Sequence, residues 1–109
     1  MSISKNGLIR FSQGAVELMA IKAGDQVQFC QDEDEPENWY VEVVKKGGFP
    51  LRDAYGNGGG LLTNASGIKR LLFESVNYLG GSGTLPIGEQ VLHPKRTFYT
   101  LITGFLRNV

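Results

Sequence analysis

The stretch from Gly7 to Ser12 alternates, with Ile9 and Phe11 on one face of an extended chain and Arg10 on the other. A period of two predicts a half-buried strand, entered through an Asn6-Gly7 turn. Ser12 offers a helix N-cap, and Val16, Met19 and Ala20 in the QGAVELMA that follows recur at helical spacing. Gly14 lowers helix propensity, so this helix is brief. Gly24 and Asp25 mark a turn. Val27 and Phe29 share one face of a strand over 26–30, and Trp39, Val41 and Val43 share one face of the next, WYVEVVKK. Between them QDEDEPEN packs five acids and Pro36 into eight residues, an exposed connection that joins the two strands as a long-looped hairpin.

The second half opens with a linker, KKGGFPLRD, in which Pro50 restricts Phe49 to extended geometry, and a loop, DAYGNGGG. LLTNA is a short strand candidate. Ser66 is an N-cap candidate for GIKRLLFESVNYL, where Ile68, Leu71, Leu72, Ser75 and Leu79 draw a helical stripe widened by Phe73 and Val76. Gly80 and Gly81 are stop signals for that helix. TLPI and EQVL are strand pieces broken by Pro86 and Gly88, HPKR is a turn, and TFYTLI is rich in β-branched and aromatic residues, as strands are.

Shifted by 53 positions, GLIRFSQGAVELM (7–19) lies over GLLTNASGIKRLL (60–72), with Gly7 on Gly60, Leu8 on Leu61, Gly14 on Gly67 and Leu18 on Leu71. Each segment orders strand, small polar residue and helix, and two strand-like runs follow each. The chain thus reads as β-α-β-β written twice, as halves 3–46 and 60–103 of one domain spanning 1–109. The expected fold is α+β: a small, partly closed, barrel-like sheet, antiparallel or mixed, with two helices, the second longer. Its expected core is Ile9, Phe11, Val27, Phe29, Val41, Val43, Leu71, Leu72 and Leu101.

Composition adds one asymmetry. Eleven bases balance eleven acids, but residues 1–44 hold three bases against eight acids, net −5, and residues 45–109 reverse this to +5. Such halves attract one another or mark a nucleic-acid face. The single Cys30, in the apolar run VQFC, reads as a small buried hydrophobe, with no partner for an internal disulfide. No secretory signal pattern opens the chain, and no run approaches the ~18 apolar residues of a membrane span. The expectation is a soluble, cytoplasmic, bacterial-type protein without membrane contact.

Candidate chemistry is sparse. GNGGG lacks the Lys-Ser/Thr that must follow a phosphate cradle, and a strand-like segment rather than a helix comes next. Ser66 and the amides after it remain a minor anion site. His93, the only histidine, sits in a basic turn without visible partners for catalysis or metal binding. The acids of QDEDEPEN lack calcium-loop spacing, though they can dock a basic partner. Asn64-Ala65-Ser66 matches a glycosylation acceptor without secretory context. No catalytic residue, metal site or cofactor is expected. The basic residues Lys5, Arg10, Lys69, Arg70, Lys95 and Arg96 are the candidates for nucleic-acid contact, with Arg107 in the same basic set of the second half and Tyr78, Phe98 and Tyr99 nearby in sequence.

GLIRFSQGAVELMAIKAGDQVQF followed by WYVEVVKK, residues 3–46 in coverage, resembles the AbrB/MazE-type swapped-hairpin family. The matching features are the strand Gly7–Phe11, Leu18, Ile21, the Gly24-Asp25 turn, Val27 and Phe29, and then Val41 and Val43. The resemblance implies a β-α-β-β half of a double-psi-barrel-like fold, completed by a partner chain or, here, by residues 60–102. It also implies a DNA-binding regulator or antitoxin, with Lys5 and Arg10 at the family's DNA-facing positions. Phe11-Ser12 stands where the family often has Ile-Pro, and the short helix has no base. The leading functional expectation is therefore a non-enzymatic binding or interaction module that pairs with a protein or with itself as a homodimer. AbrB-like DNA binding is the alternative.

Overall fold

The computed structural model describes residues 1–54 and 59–108. Most of the GNGGG loop, Gly56 to Gly58, lies outside the described residues. The strands form two five-stranded sheets with every pairing antiparallel. The first sheet holds β1 (Ser2–Ile3), β2 (Leu8–Phe11), β6 (Arg52–Asp53), β7 (Leu61–Asn64) and β8 (Gly83–Thr84), in the order β6-β7-β2-β1-β8. The second holds β3 (Gln26–Gln31), β4 (Trp39–Val44), β5 (Phe49–Pro50), β9 (Ile87–His93) and β10 (Arg96–Leu101), in the order β5-β3-β4-β10-β9. The expected single barrel-like sheet is thus replaced by two sheets that close into no barrel, while the α+β class and the two helices, α1 (Gln13–Met19) and α2 (Ser66–Ser75), stand.

At the middle of each sheet, one half of the chain meets the other. β2 pairs with β7, Leu8 opposite Asn64 and Phe11 opposite Leu61. β4 pairs with β10, Trp39 opposite Leu101 and Val43 opposite Thr97. The 53-residue shift carries β2 onto β7 and the first residue of α1 onto that of α2. Two glycines related by that shift are both crowded against backbone. Gly7 (φ +84°) lies against the Ser66 Cα at the start of α2, and Gly60 (φ +96°) against the Phe11 carbonyl and Ser12 at the start of α1. A side chain at either would meet backbone, and left-handed φ adds strain. Gly14 and Gly67, also shift-related, sit in the first turns of the helices with room for a side chain: a Cβ at Gly14 would make only an ordinary contact with Ser12 Oγ at 3.9 Å, and one at Gly67 would meet nothing.

Ser12 caps α1 as expected, its Oγ accepting from the Ala15 N–H at 3.2 Å. The helix closes at Ala20, left-handed at φ 52°, and the Ile21 N–H reaches back to the Val16 carbonyl at 3.2 Å. Helix α2 departs from expectation at both ends. Ala65 occupies the cap position, where its methyl side chain offers no acceptor, and its N–H is donated to the Gly7 carbonyl at 2.9 Å. The C-terminal end comes four residues early. Asn77 turns left-handed (φ 55°), the Tyr78 N–H bonds the Phe73 carbonyl at 2.9 Å, and the Tyr78 ring stands edge-on to Phe73 at 4.8 Å. This is a Schellman closure with its hydrophobic contact, made by Asn rather than Gly.

Both sheets and both helices contribute to one apolar cluster. Ile9, Phe11, Val27, Val41, Leu72 and Leu101 are buried in it, and Phe29 and Val43 pack half-buried against it. Leu71 does not join: it is 51% exposed, because α2 turns Ile68, Leu72 and Phe73 inward instead. Leu79, beyond the early end of the helix, is 99% exposed. No helix among the described residues is long and apolar enough to cross a membrane.

Chemical denaturation of five variants tests this packing. Leu72→Ala is expected to cost about 2–5 kcal/mol and Leu71→Ala less than about 1 kcal/mol. Gly7→Ala or Gly60→Ala is expected to cost more than about 1 kcal/mol, whereas Gly14→Ala stabilises by a few tenths to about 1 kcal/mol.

Candidate functional site

The second sheet carries a buried charge. Alternation along β4 turns Trp39 and Val41 to the core and Glu42 to the opposite face, yet Glu42 is itself buried. Its neighbours cover it. Gln28 lies opposite on β3 and Phe98 opposite on β10. Arg96 grips the carboxylate with two bonds, Nε to Oε2 at 2.7 Å and Nη2 to Oε1 at 2.8 Å. Gln28 Nε2 donates to Oε1 at 2.6 Å, and Cys30 Sγ lies 3.7 Å from the same oxygen. The Arg96 hydrogen bonds, helped by Gln28 and opposed by burial, hold the Glu42 carboxyl below its ordinary value. Burial first, and the Glu42 charge second, push the Cys30 thiol up.

Aromatic rings surround this pair. The Arg96 guanidinium stacks 4.4 Å from the Phe98 ring, Tyr40 meets Phe98 edge-on at 6.3 Å, and His93 does so at 6.1 Å. Cys30, Tyr40, Val91, Arg96 and Phe98 line a shallow groove of about 220 Å³, rimmed by Asp32. Asp32 belongs to the acidic connection, which is an ordered turn: its Oδ1 accepts from the Asp34 and Glu35 amides at 2.8 and 3.2 Å.

The basic residues divide among three places. Lys5 and Arg10 line an open cleft of about 510 Å³ on the outer face of the first sheet, together with Ser2, Ser4, Leu8 and Leu62. Lys69 joins them through its Nζ, which donates to the Lys5 carbonyl at 2.6 Å, and Arg10 donates to the Gly59 carbonyl at 2.5 Å. Arg70 lies on the exposed side of α2, 3.6 Å from Glu74 one turn on. Lys95 is exposed in the β9–β10 turn, and Arg96 is committed to Glu42. His93 is exposed at the end of β9. Among the described residues no three His, Cys, Asp or Glu side chains converge as metal ligands.

The Glu42 network was hidden from sequence reasoning, since a period of two sets Glu42 only on the face opposite Trp39, Val41 and Val43 and names no partner for it. One signal was available: a lone acid between Val41 and Val43 in a strand flanked on both sides needs a partner. Compared with known protein families, curated proteins and solved structures, the chain shows no match.

The carboxyl of Glu42 is held low, so the stability it contributes is present above its unfolded value and is lost as pH falls through the folded one. Thermal melts of the wild type between pH 7 and pH 3 therefore drop more steeply than those of Glu42→Gln. Parallel curves would show that Glu42 carries no linkage.

Proposed function

We propose that this protein is a non-catalytic, self-associating interaction module, built from two related halves, whose working surface is the outer face of the second sheet. The observation that carries the reading is the set of rings and charge fixed around Glu42. Tyr40, Phe98 and Arg96 are half-exposed or exposed yet held by one another and by the carboxylate. Tyr and Arg, with other aromatic residues, are the types in which interface energy concentrates, and side chains already held lose little freedom on binding. Catalysis fits the site poorly. A thiol pushed up by burial and by a neighbouring carboxylate is a weak nucleophile, and the carboxylate itself is bound to Arg96. The shift-related glycines, each packed on the other half's helix start, support two related halves.

Sedimentation of the full chain over a wide concentration range tests this. The wild type is expected to associate, Phe98→Ala to weaken association about tenfold or more, and Arg70→Ala to leave it unchanged. A folded chain that stays monomeric throughout overturns the proposal.

The second reading, an AbrB-like DNA-binding regulator or antitoxin, is favoured by one observation: Lys5 and Arg10 line the first sheet's cleft, and Lys69 reaches the Lys5 carbonyl. Three cations support a salt dependence no steeper than about −3 in log K against log salt. In mobility shifts at low salt, Lys5→Ala then lowers the slope by about one, and Lys95→Ala does not. Absence of any retardation eliminates this reading.

A further inference from the structure

The two sheets have four edges among the described residues. Three are strands of two residues, β5, β6 and β8, and β5 ends in Pro50. The fourth is β9, seven residues long, paired only with β10. Long edges are ordinarily blunted by Lys, Pro, inward-pointing charge or a covering element, because their unpaired backbone groups are a template for another strand. From Ile87 to His93 there is no Lys and no Pro, the sole acid or base apart from the terminal His93 is Glu89, and no described element lies along the outer side. The one irregularity, a register shift between Tyr99 and Leu101, falls at the Ile87 end. From Gln90 to His93 the strand is regular.

The pattern along this edge is self-complementary. Val91 lies opposite Phe98 and His93 opposite Arg96, so Val91 and His93 share the outer face by the period of two, and Glu89 is exposed at the register shift beside them. Glu89 stands near one end of the strand, and His93, Lys95 and Arg96 at the other. Val91 is 39% exposed between them. An antiparallel self-pairing sets the acidic end against the basic end twice, whereas a parallel one sets like against like.

We infer that two copies of this chain pair β9 with β9, antiparallel, about a twofold axis at Val91, forming one continuous ten-stranded sheet. The inference rests on the reading that the second sheet is the working surface. The axis sets Val91 across from Val91 of the second copy and Glu89 across from its His93. Both outer faces then run together, with the Phe98 rings flanking the new seam. Closed twofold pairing also uses up the open edge, which limits assembly to a dimer.

The test is sedimentation equilibrium of the full chain and its variants, with a thermal melt of each as a check on folding. Val91→Lys sets two ammonium groups across the axis and is expected to weaken the dimer about thirtyfold or more. Glu89→Lys weakens it about tenfold, and the double variant Glu89→Lys with His93→Glu, which restores opposite charges across the seam, recovers affinity to within about threefold of wild type. A dimer lost in Phe98→Ala but unchanged by Val91→Lys and Glu89→Lys overturns the β9 pairing and leaves the proposed surface standing. A dimer insensitive to all of these, or a folded wild type monomeric at every concentration, overturns both.

Discussion

Each half of the chain begins its helix against a glycine of the other, and the rest of the molecule is arranged around that reciprocal contact. Gly7 lies on the start of α2 and Gly60 on the start of α1, both in backbone conformations that side chains resist. The contact sets how closely the two strand-helix units approach. It brings β2 beside β7, and the hairpins that follow then place β4 beside β10. Neither half owns a complete sheet. The middle of each sheet is a seam between halves, and the core is filled from both sides of it.

The charge asymmetry of the sequence finds one specific outlet at that seam. Of the two ion pairs among the described residues, one lies within α2 and the other joins the acidic half to the basic half through Glu42 and Arg96. A carboxylate on the flank of a central strand would be costly if left alone. Arg96 arrives from the β9–β10 turn to meet it, and Gln28 satisfies one of the remaining lone pairs. The Arg96 side chain is 45% exposed, so solvent screens the pair and its contribution to stability is modest, while its two hydrogen bonds tie the turn to β4. With the turn fixed, Phe98, Tyr40 and His93 acquire defined positions on an otherwise open face.

Much of this was legible in the chain. The alternation of Ile9 and Phe11, the Ser12 cap and the spacing in QGAVELMA specify a strand and a helix locally, and the same order after Gly60 specifies a second pair. What escaped depends on partners distant in sequence or on a residue outside its usual role. Asn77 ends α2 in a conformation that Gly80 and Gly81 were better suited to, so the helix loses the turn carrying Leu79. The two-residue strand β8 exists only through its register with β1 at the far end of the chain, Thr84 opposite Ser2. Leu71 and Leu72 are neighbours of equal hydrophobicity, and only the seating of α2 decides which is buried. Burial of Glu42 is a property of Arg96, which lies 54 residues further on.

The seam also bears on how the chain can fold. Phe11 meets Leu61 and Val43 meets Thr97, so neither sheet gains its middle until a loop of about fifty residues has closed. Local hairpins such as β3–β4 can form early but leave an apolar face waiting. Topologies dominated by such distant pairings fold in milliseconds to seconds rather than microseconds, because loop closure precedes the contacts that reward it. During synthesis the first half therefore emerges with its strands made and its partner absent. For that interval the inner sides of β2 and β4 are the chain's most vulnerable surface.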